Sequence, residues 1–376
     1  MAVRLKPLSR QCIVITGASS GIGLATARMA AGKGASVLLV SRNETALREA
    51  VEDIRARGGR ADFAVADVAD RSALEAAADR AEERFGGIDA WVNDAGTSII
   101  GRLQETPIED QRRLFETNYW GVVNGSLVAA ERLARRGAGG GGAIINLGSI
   151  ISDRALIYQG TYSATKHAVK GFTDTLRMEL EAARAPISVT LIKPAGIDTP
   201  FQEHVPTRLA APGVRVPPPA YDPRLVARAI LYACEHPKRE MIIGGLGAIT
   251  TVMGRLFPRA TDRLMELTGE AAQTTRHAGR PGWRDNLYQP RADGTERSSL
   301  PGMPHRRTSL LLEAQMHPMA TLAVVAGIGA LAAGLVAGPR IAHAMPPVRR
   351  SVPRRHAPGW RDMRVQGQRL AERLFG

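Results

Sequence analysis

Apolar and polar positions alternate along residues 12–245 in two periods. Short apolar runs at 12–16, 36–41, 61–66, 88–93, 143–147, 187–192 and 240–243 read as strands. Between them lie Ala-rich stretches whose apolar positions recur at helical spacing, for instance 44–57, 71–85 and 162–183. Strands and helices in strict alternation imply a parallel sheet of about seven strands, doubly wound, with helices on both faces. Such a sheet uses right-handed crossovers, and its ligand crevice lies beyond the carboxyl ends of the strands.

Three segments break this pattern. The glycine-rich run 137–142 reads as a turn before a strand. Residues 201–223 are Pro-rich, lack periodicity and are long for a loop, as lids and binding loops often are. From about Leu246 the alternation stops, and a basic, Pro- and Gly-punctuated extension follows, expected to be mostly helical or irregular. Four parts are therefore expected: an α/β domain over 1–250, a basic extension over 251–318, an apolar stretch over 319–338 and a basic tail over 339–376. The apolar stretch holds twenty residues without a charge. That length just spans a hydrocarbon core as a helix, although its Ala and Gly content makes insertion marginal. Gly334 and Gly338 give it a small-xxx-small pair suited to helix packing in lipid. A short apolar segment, 246–257, is a candidate for the substrate entrance or for a lipid surface. The sequence Pro-Gly-Trp-Arg-Asp occurs at 281–285 and again at 358–362, an echo with no physical account.

Composition narrows the reading. The chain has 376 residues, enough for one large α/β domain with an appendage, and is 44% hydrophobic. Its two cysteines, Cys12 and Cys234, lie far apart in apolar runs, which fits a reducing compartment and argues against a disulfide scaffold or metal site. No charged segment followed by an isolated apolar run opens the chain, so no cleaved export signal is expected. Of the net charge of +14, residues 251–376 carry +10, from 19 arginines against 9 acidic residues. The first 250 residues are thus nearly neutral. Few aromatics are interleaved with the arginines, and no nucleic-acid module is recognisable, so no nucleic-acid partner is expected.

The candidate chemistry begins after the first strand, at Gly17-Ala18-Ser19-Ser20-Gly21-Ile22-Gly23. Glycines there let the backbone turn tightly and approach a pyrophosphate, and a following helix N-terminus offers N–H groups and a favourable dipole. The second strand ends at Ser41 and is followed by Arg42, where an NAD site usually has a carboxylate. A guanidinium suits a 2′-phosphate, so NADP(H) is expected in preference to NAD(H). Asp67, after the third strand, is a candidate partner for the adenine amine, or a turn residue opening the next helix.

Tyr162 and Lys166 are four residues apart on a predicted helix and share a face. A phenol ionises near pH ~10 and exchanges protons poorly at neutrality. A nearby ammonium and an oxidised nicotinamide would lower that value, and about 3 units corresponds to roughly 4 kcal/mol. Ser149, just past a strand end, could hold a carbonyl oxygen beside the phenol. Asn118 falls inside a helix, where an amide is an indifferent choice, and suggests a kink or a bound water.

These residues, with Asn93-Asp94-Ala95-Gly96, Tyr162-Ser163-Ala164-Thr165-Lys166 and Pro194-Ala195-Gly196-Ile197-Asp198-Thr199, follow one another in a known order. The chain resembles the short-chain dehydrogenase/reductase family, with its Rossmann-type fold, from about residue 9 to 245. The resemblance implies Tyr162 as general acid/base, Ser149 orienting the carbonyl, Lys166 on the nicotinamide ribose and lowering the Tyr162 pKa, and Asn118 maintaining a proton relay. It places Asn93, Ala95 and Gly96 in a motif that stabilises the sheet and borders the cofactor. Pro194, Gly196, Ile197 and Thr199 fall where the family contacts the nicotinamide. Two departures stand out. Asp94 replaces the usual second Asn, and Ala195 the usual Gly after Pro; neither is expected to touch the proton-transfer residues. The expected function is NADP(H)-dependent interconversion of a carbonyl and an alcohol on a small molecule, a lipophilic one if 319–338 meets lipid. The expected setting is a homo-oligomer with a cytoplasmic catalytic domain, anchored to the inner face of a membrane. The competing reading is a membrane-attached NADP-binding protein acting through its tail with little turnover.

Overall fold

The computed structural model describes residues 3–136, 141–211, 213–275, 285–291, 294–300 and 305–342. Seven strands form one sheet: β1 (Cys12–Thr16), β2 (Ser36–Ser41), β3 (Arg60–Val65), β4 (Ala90–Asn93), β5 (Gly142–Leu147), β6 (Ile187–Pro194) and, later in the chain, β9 (Glu240–Ile243). Their order is β3-β2-β1-β4-β5-β6-β9, and every neighbouring pair is parallel. The register sets Ile13 beside Val37 on one side and Ala90 on the other. From β1 the chain winds outward to β3 and then returns to place β4 against β1. That reversal opens a crevice beyond the carboxyl ends of β1 and β4.

Helices cover both faces because the strands are apolar on both. Alternation sends Ile13, Ile15, Val37 and Leu39 to one face, packed with residues of α1 (Gly21–Gly32), α2 (Glu44–Ala56) and α8 (Pro223–Glu235). Val14, Leu38, Val40 and Trp91 face the other side, against α3 (Arg71–Phe85), α5 (Gly121–Ala134) and α6 (Gly160–Ala182). Local signals set the helix ends. The Asn43 side chain accepts the Ala46 N–H at the start of α2, Asp70 accepts from Ser72 and Ala73 at α3, and Gly86 ends α3 at φ +81°.

Strand boundaries differ from the sequence reading by up to two residues. β4 starts at Ala90 rather than 88 because the Asp89 side chain turns to the Cys12 N–H (2.9 Å) and to Lys6 and Arg136. The expected break at Asn118 is a π-helical turn, Glu116–Trp120, between α4 (Ile108–Phe115) and α5. The Pro-rich segment contains a single helical turn, α7 (Phe201–His204), and two short strands, β7 (Gly213–Val214) and β8 (Ala220–Tyr221).

After β9 the βα alternation ends, as expected, in a helical pair, α9 (Gly245–Leu256) and α10 (Pro258–Gln273). Short strands β10 (Thr274–Thr275) and β11 (His305–Arg306) pair with β7 and β8, so the extension returns to the sheet domain. α11 (Leu310–Met316) follows. The chain divides into two compact units, Met1–Pro318 and Met319–Gly376. The described part of the second belongs to α12 (Pro318–Ala342), where Met319, Leu322 and Ile328 are exposed.

Among the described residues no single helix is long and apolar enough to cross a membrane. Only Leu310–Met316 and Pro318–Ile328 taken together, with a break between them, reach that length and composition. The expected span over 319–338 therefore finds no support. The basic tail beyond 342, the second Pro-Gly-Trp-Arg-Asp at 358–362, most of the first copy and residues 137–140 lie outside the described residues.

Candidate active site

A cleft of about 420 Å³ opens at the carboxyl end of the sheet. The turn between β1 and α1 forms its floor. Gly17 adopts φ +70°, and a Cβ there would lie 2.8 Å from the Ala95 backbone. A Cβ on Gly23 would lie 2.5 Å from the Gly17 carbonyl oxygen, so only glycine lets α1 begin this close to the strand. Gly17, Ser19, Ser20, Gly21 and Ile22 line the cleft, whereas Gly23 is packed behind it. Ser41, Arg42 and Asp67 line the adjoining part. The Asp67 carboxylate accepts from Arg113 at 2.5 Å and from the Ala69 N–H, and lies 3.9 Å from Arg42. Burial lowers the Arg42 pKa, with Asp67 opposing.

Ala95, Gly96, Pro194, Gly196, Ile197 and Thr199 complete the wall of this half. Thr199 packs where a Cβ on Gly21 would lie, 3.3 Å away. Asn93 points elsewhere. Its side chain accepts from Trp91 Nε1 (2.8 Å) and donates to Ser126 Oγ (3.0 Å) and Asn146 Oδ1 (2.8 Å), locking β4, β5 and α5 together. Its contribution is to the sheet, not to the cleft surface.

Ser149, Tyr162 and Lys166 converge in the same cleft. Ser149 caps the turn after β5, its Oγ accepting the Ile151 N–H at 3.1 Å and lying 3.4 Å from the Pro194 carbonyl. Helical spacing sets the Lys166 ammonium 5.6 Å from the centre of the Tyr162 ring. Lys166 Nζ donates to the Leu147 carbonyl at 2.7 Å. Asn118, fully buried and off the cleft surface, donates to the Thr97 carbonyl (2.8 Å) and Thr165 Oγ1 (3.2 Å) and accepts the Thr97 N–H (2.9 Å). It ties the π-helical turn to α6 beside Lys166.

The electrostatics depart from expectation. Desolvation pushes the Tyr162 phenol up; the Ser149 hydrogen bond pulls it down less, and the Asp94 charge adds to the rise. The net shift is upward, opposite to the lowering expected beside Lys166 and an oxidised nicotinamide. Lys166 itself is lowered to about 8 by burial, with Asp94 opposing. Burial raises Asp94 to about 7, against the pull of Lys166 and of a hydrogen bond from the Gly23 N–H. Asp94 thus places a charge near both Tyr162 and Lys166, where the sequence reading expected no effect of the substitution on them. Position 94 is 72 residues from Lys166, and only the fold brings its charge into their field.

Sequence reasoning named no individual residue in three other parts of the cleft. Phe201, Gln202 and His204 come from the turn after β6, Leu246 and Met265 from α9 and α10, and Asn286, Pro290 and Arg291 from the extension. The Pro-rich loop was recognised as a binding-loop candidate without an individual residue code, and 246–257 as a candidate entrance. Nothing local signalled the extension.

The sequence model described as short chain dehydrogenase matches residues 11–209. The chain belongs to that family. An uncharacterized oxidoreductase of Bacillus subtilis, YxnA, is 43% identical over 331 residues, 88% of this chain and 92% of the relative. That match is longer than the sheet domain, so the similarity continues into the extension. The ketoacyl reductase HetN of Nostoc is 28% identical over 271 residues, 70% of this chain and 90% of its own. Among solved structures, a short chain dehydrogenase/reductase from Burkholderia phymatum in complex with NAD has a TM-score of 0.57 at 27% identity. It covers 69% of this chain and 94% of its own. A variant of the actinorhodin polyketide ketoreductase with NADPH has a TM-score of 0.56 at 30% identity, covering 66% and 99%. The short-chain dehydrogenase family, the Rossmann-type fold and the oxidoreductase class are thereby established for this chain, with neighbours that hold NAD or NADPH.

Proposed function

We propose that this oxidoreductase uses NADP(H) to interconvert a carbonyl and a secondary or primary alcohol on an apolar small molecule. The observation that carries the reading is the meeting of Ser149, Tyr162 and Lys166 in one cleft with the glycine turn of α1. The residues fit a dinucleotide: Gly17 and Gly23, where a Cβ would strike the Ala95 and Gly17 backbone, let the chain turn tightly from β1 into α1, and α1 presents its N-terminus to the cleft. Arg42, with no carboxylate at Ser41, favours a cofactor carrying a 2′-phosphate. When bound, the nicotinamide supplies or accepts the hydride.

The chain's own residues handle the proton. Tyr162 gives its phenolic proton to the developing alkoxide in reduction and takes it back in oxidation. Burial keeps that phenol protonated at rest, ready to donate when a carbonyl is reduced. Ser149 donates to the carbonyl oxygen and holds it beside the phenol. Lys166, oriented by the Leu147 carbonyl, has N–H groups left for the ribose hydroxyls. Asn118 holds the turn behind Lys166 and positions the lysine without touching the substrate. Ile150, Leu156, Phe201, Val216, Leu246 and Met265 give the cleft, beside polar Arg154, Gln202 and His204, an apolar surface that supports an apolar substrate.

The test is NADPH oxidation with ketones and aldehydes of increasing apolar bulk, run on the full chain and on Tyr162→Phe. The variant should lose at least ~10²-fold in kcat while binding NADPH as before, because a positioned acid contributes 10²–10⁴. Near-wild-type turnover in Tyr162→Phe would refute the mechanism.

A further inference from the structure

The extension does not stay clear of the cleft. Arg42 Nη2 donates to the Asn286 carbonyl (2.5 Å), and Arg42 Nη1 to the carbonyls of Tyr288 (3.1 Å) and Leu287 (3.4 Å). The Gly21 N–H, at the start of α1, donates to the Thr295 carbonyl at 2.9 Å. Asn43 Nδ2 donates to the Arg291 carbonyl, and Thr97 Oγ1 to Asn286 Oδ1 (2.6 Å). Asn286, Pro290 and Arg291 form part of the cleft wall.

These acceptors have something in common. Each is an oxygen bearing partial negative charge, and two of the donors they meet are the ones a dinucleotide phosphate would use. A phosphate on Arg42 needs the terminal nitrogens that now face the 286–288 carbonyls, and a pyrophosphate at the head of α1 needs its N–H groups. One N–H directs its hydrogen at one acceptor at a time, so the two sets of oxygens compete.

We propose that the described segments 285–291 and 294–300 form an autoinhibitory strap: their backbone carbonyls stand in for the cofactor's phosphate oxygens, and NADP(H) binds by displacing them. This deepens the reading of the cleft as a dinucleotide site and rests on it. The strap is fastened by groups away from the chemistry. Glu296 bridges Arg28 and Arg224, each at 3.0 Å, Arg297 pairs with Asp198 at 2.8 Å, and the Tyr288 hydroxyl donates to Asp110 at 2.8 Å. Such fastenings leave the strap reversible, since partly exposed ion pairs contribute little each. The apparent affinity for NADPH is then reduced by the fraction of molecules whose strap is closed.

Two measurements on the full-length chain test this. Glu296→Gln and, separately, Tyr288→Phe loosen the strap without touching the cleft residues named for chemistry or cofactor. NADPH binding, followed by its fluorescence, should tighten on the order of 3- to 10-fold in each variant as the closed fraction falls. Hydrogen exchange of backbone amides in 285–291 and 294–300 should quicken when NADPH is added to the wild-type chain. Binding with unchanged or slower exchange there would overturn the strap, as would unchanged or weaker affinity in both variants; slower exchange would mark a clamp closing over the cofactor. If neither NADPH nor NADH binds the wild-type chain or the variants, the dinucleotide reading itself fails, and the strap with it.

Discussion

Replacing Asp94 by asparagine should stabilise the protein at neutral pH and leave it nearly unchanged near pH 4. The carboxyl is held at about 7 in the folded chain, against an ordinary value of 3.8, chiefly because it is desolvated. Between those values the native state keeps a proton that the unfolded chain has lost. Native molecules then bind more protons, so stability falls as pH rises across that window. At 1.36 kcal/mol per pH unit the loss reaches about 4 kcal/mol by pH 7, and it levels off above. Asparagine has no such loss, and its side-chain oxygen can still accept the Gly23 N–H. Lys166, lowered to about 8, acts in the opposite sense from pH 8 upward, as the native state releases its proton before the unfolded chain does. The comparison is therefore cleanest below pH 8. Urea unfolding of both proteins at pH 4.5, 5.5, 6.5 and 7.5, read by tryptophan fluorescence, gives the difference in stability. It should grow with pH through this range. A difference that stays constant from pH 4.5 to 7.5 would show that Asp94 ionises normally and would remove the electrostatic account of the site.

Three further outcomes are expected. Arg42→Ala should cut the preference for NADPH over NADH by about 10- to 100-fold in kcat/KM, the range of a charge-assisted hydrogen bond, and an unchanged ratio would place the 2′-phosphate elsewhere. Ser149→Ala should lower kcat by about 10²-fold with little change in NADPH affinity, since it removes one donor to the reacting oxygen; steady-state kinetics with a bulky ketone would check it. Gly125→Ala should destabilise the fold by about 1–3 kcal/mol in urea unfolding. Its Cβ would lie 2.1 Å from Asn93 Oδ1 and 2.8 Å from Trp91 Nε1, and full stability would mean that this network yields easily.

Much of the site was legible because its signals are local. The Gly17–Gly23 turn follows directly from β1, and only residues without a Cβ satisfy its close approaches. Tyr162 and Lys166 are four apart on one helix, so helix geometry alone makes them neighbours. Asn118 stood out as an amide inside a helix, an indifferent choice that suggested a kink or a bound water, and a π-helical turn is there. Asp94 was visible as a departure from the family pattern, but its consequence was not. A carboxylate in sequence has no environment: the folded cleft desolvates it, and only the fold brings its charge near Lys166 and Tyr162.

The sequence alone determined the parallel sheet, the order of its elements along the chain and the one-turn separation of Tyr162 and Lys166, because burial periodicity and helical spacing are properties of neighbouring residues. Tertiary structure alone decided that the extension returns across the nucleotide crevice, joining Arg42 to residues 244 to 246 positions later. Those contacts run through backbone carbonyls. Every residue carries one, so no choice of side chain announces where it will be used.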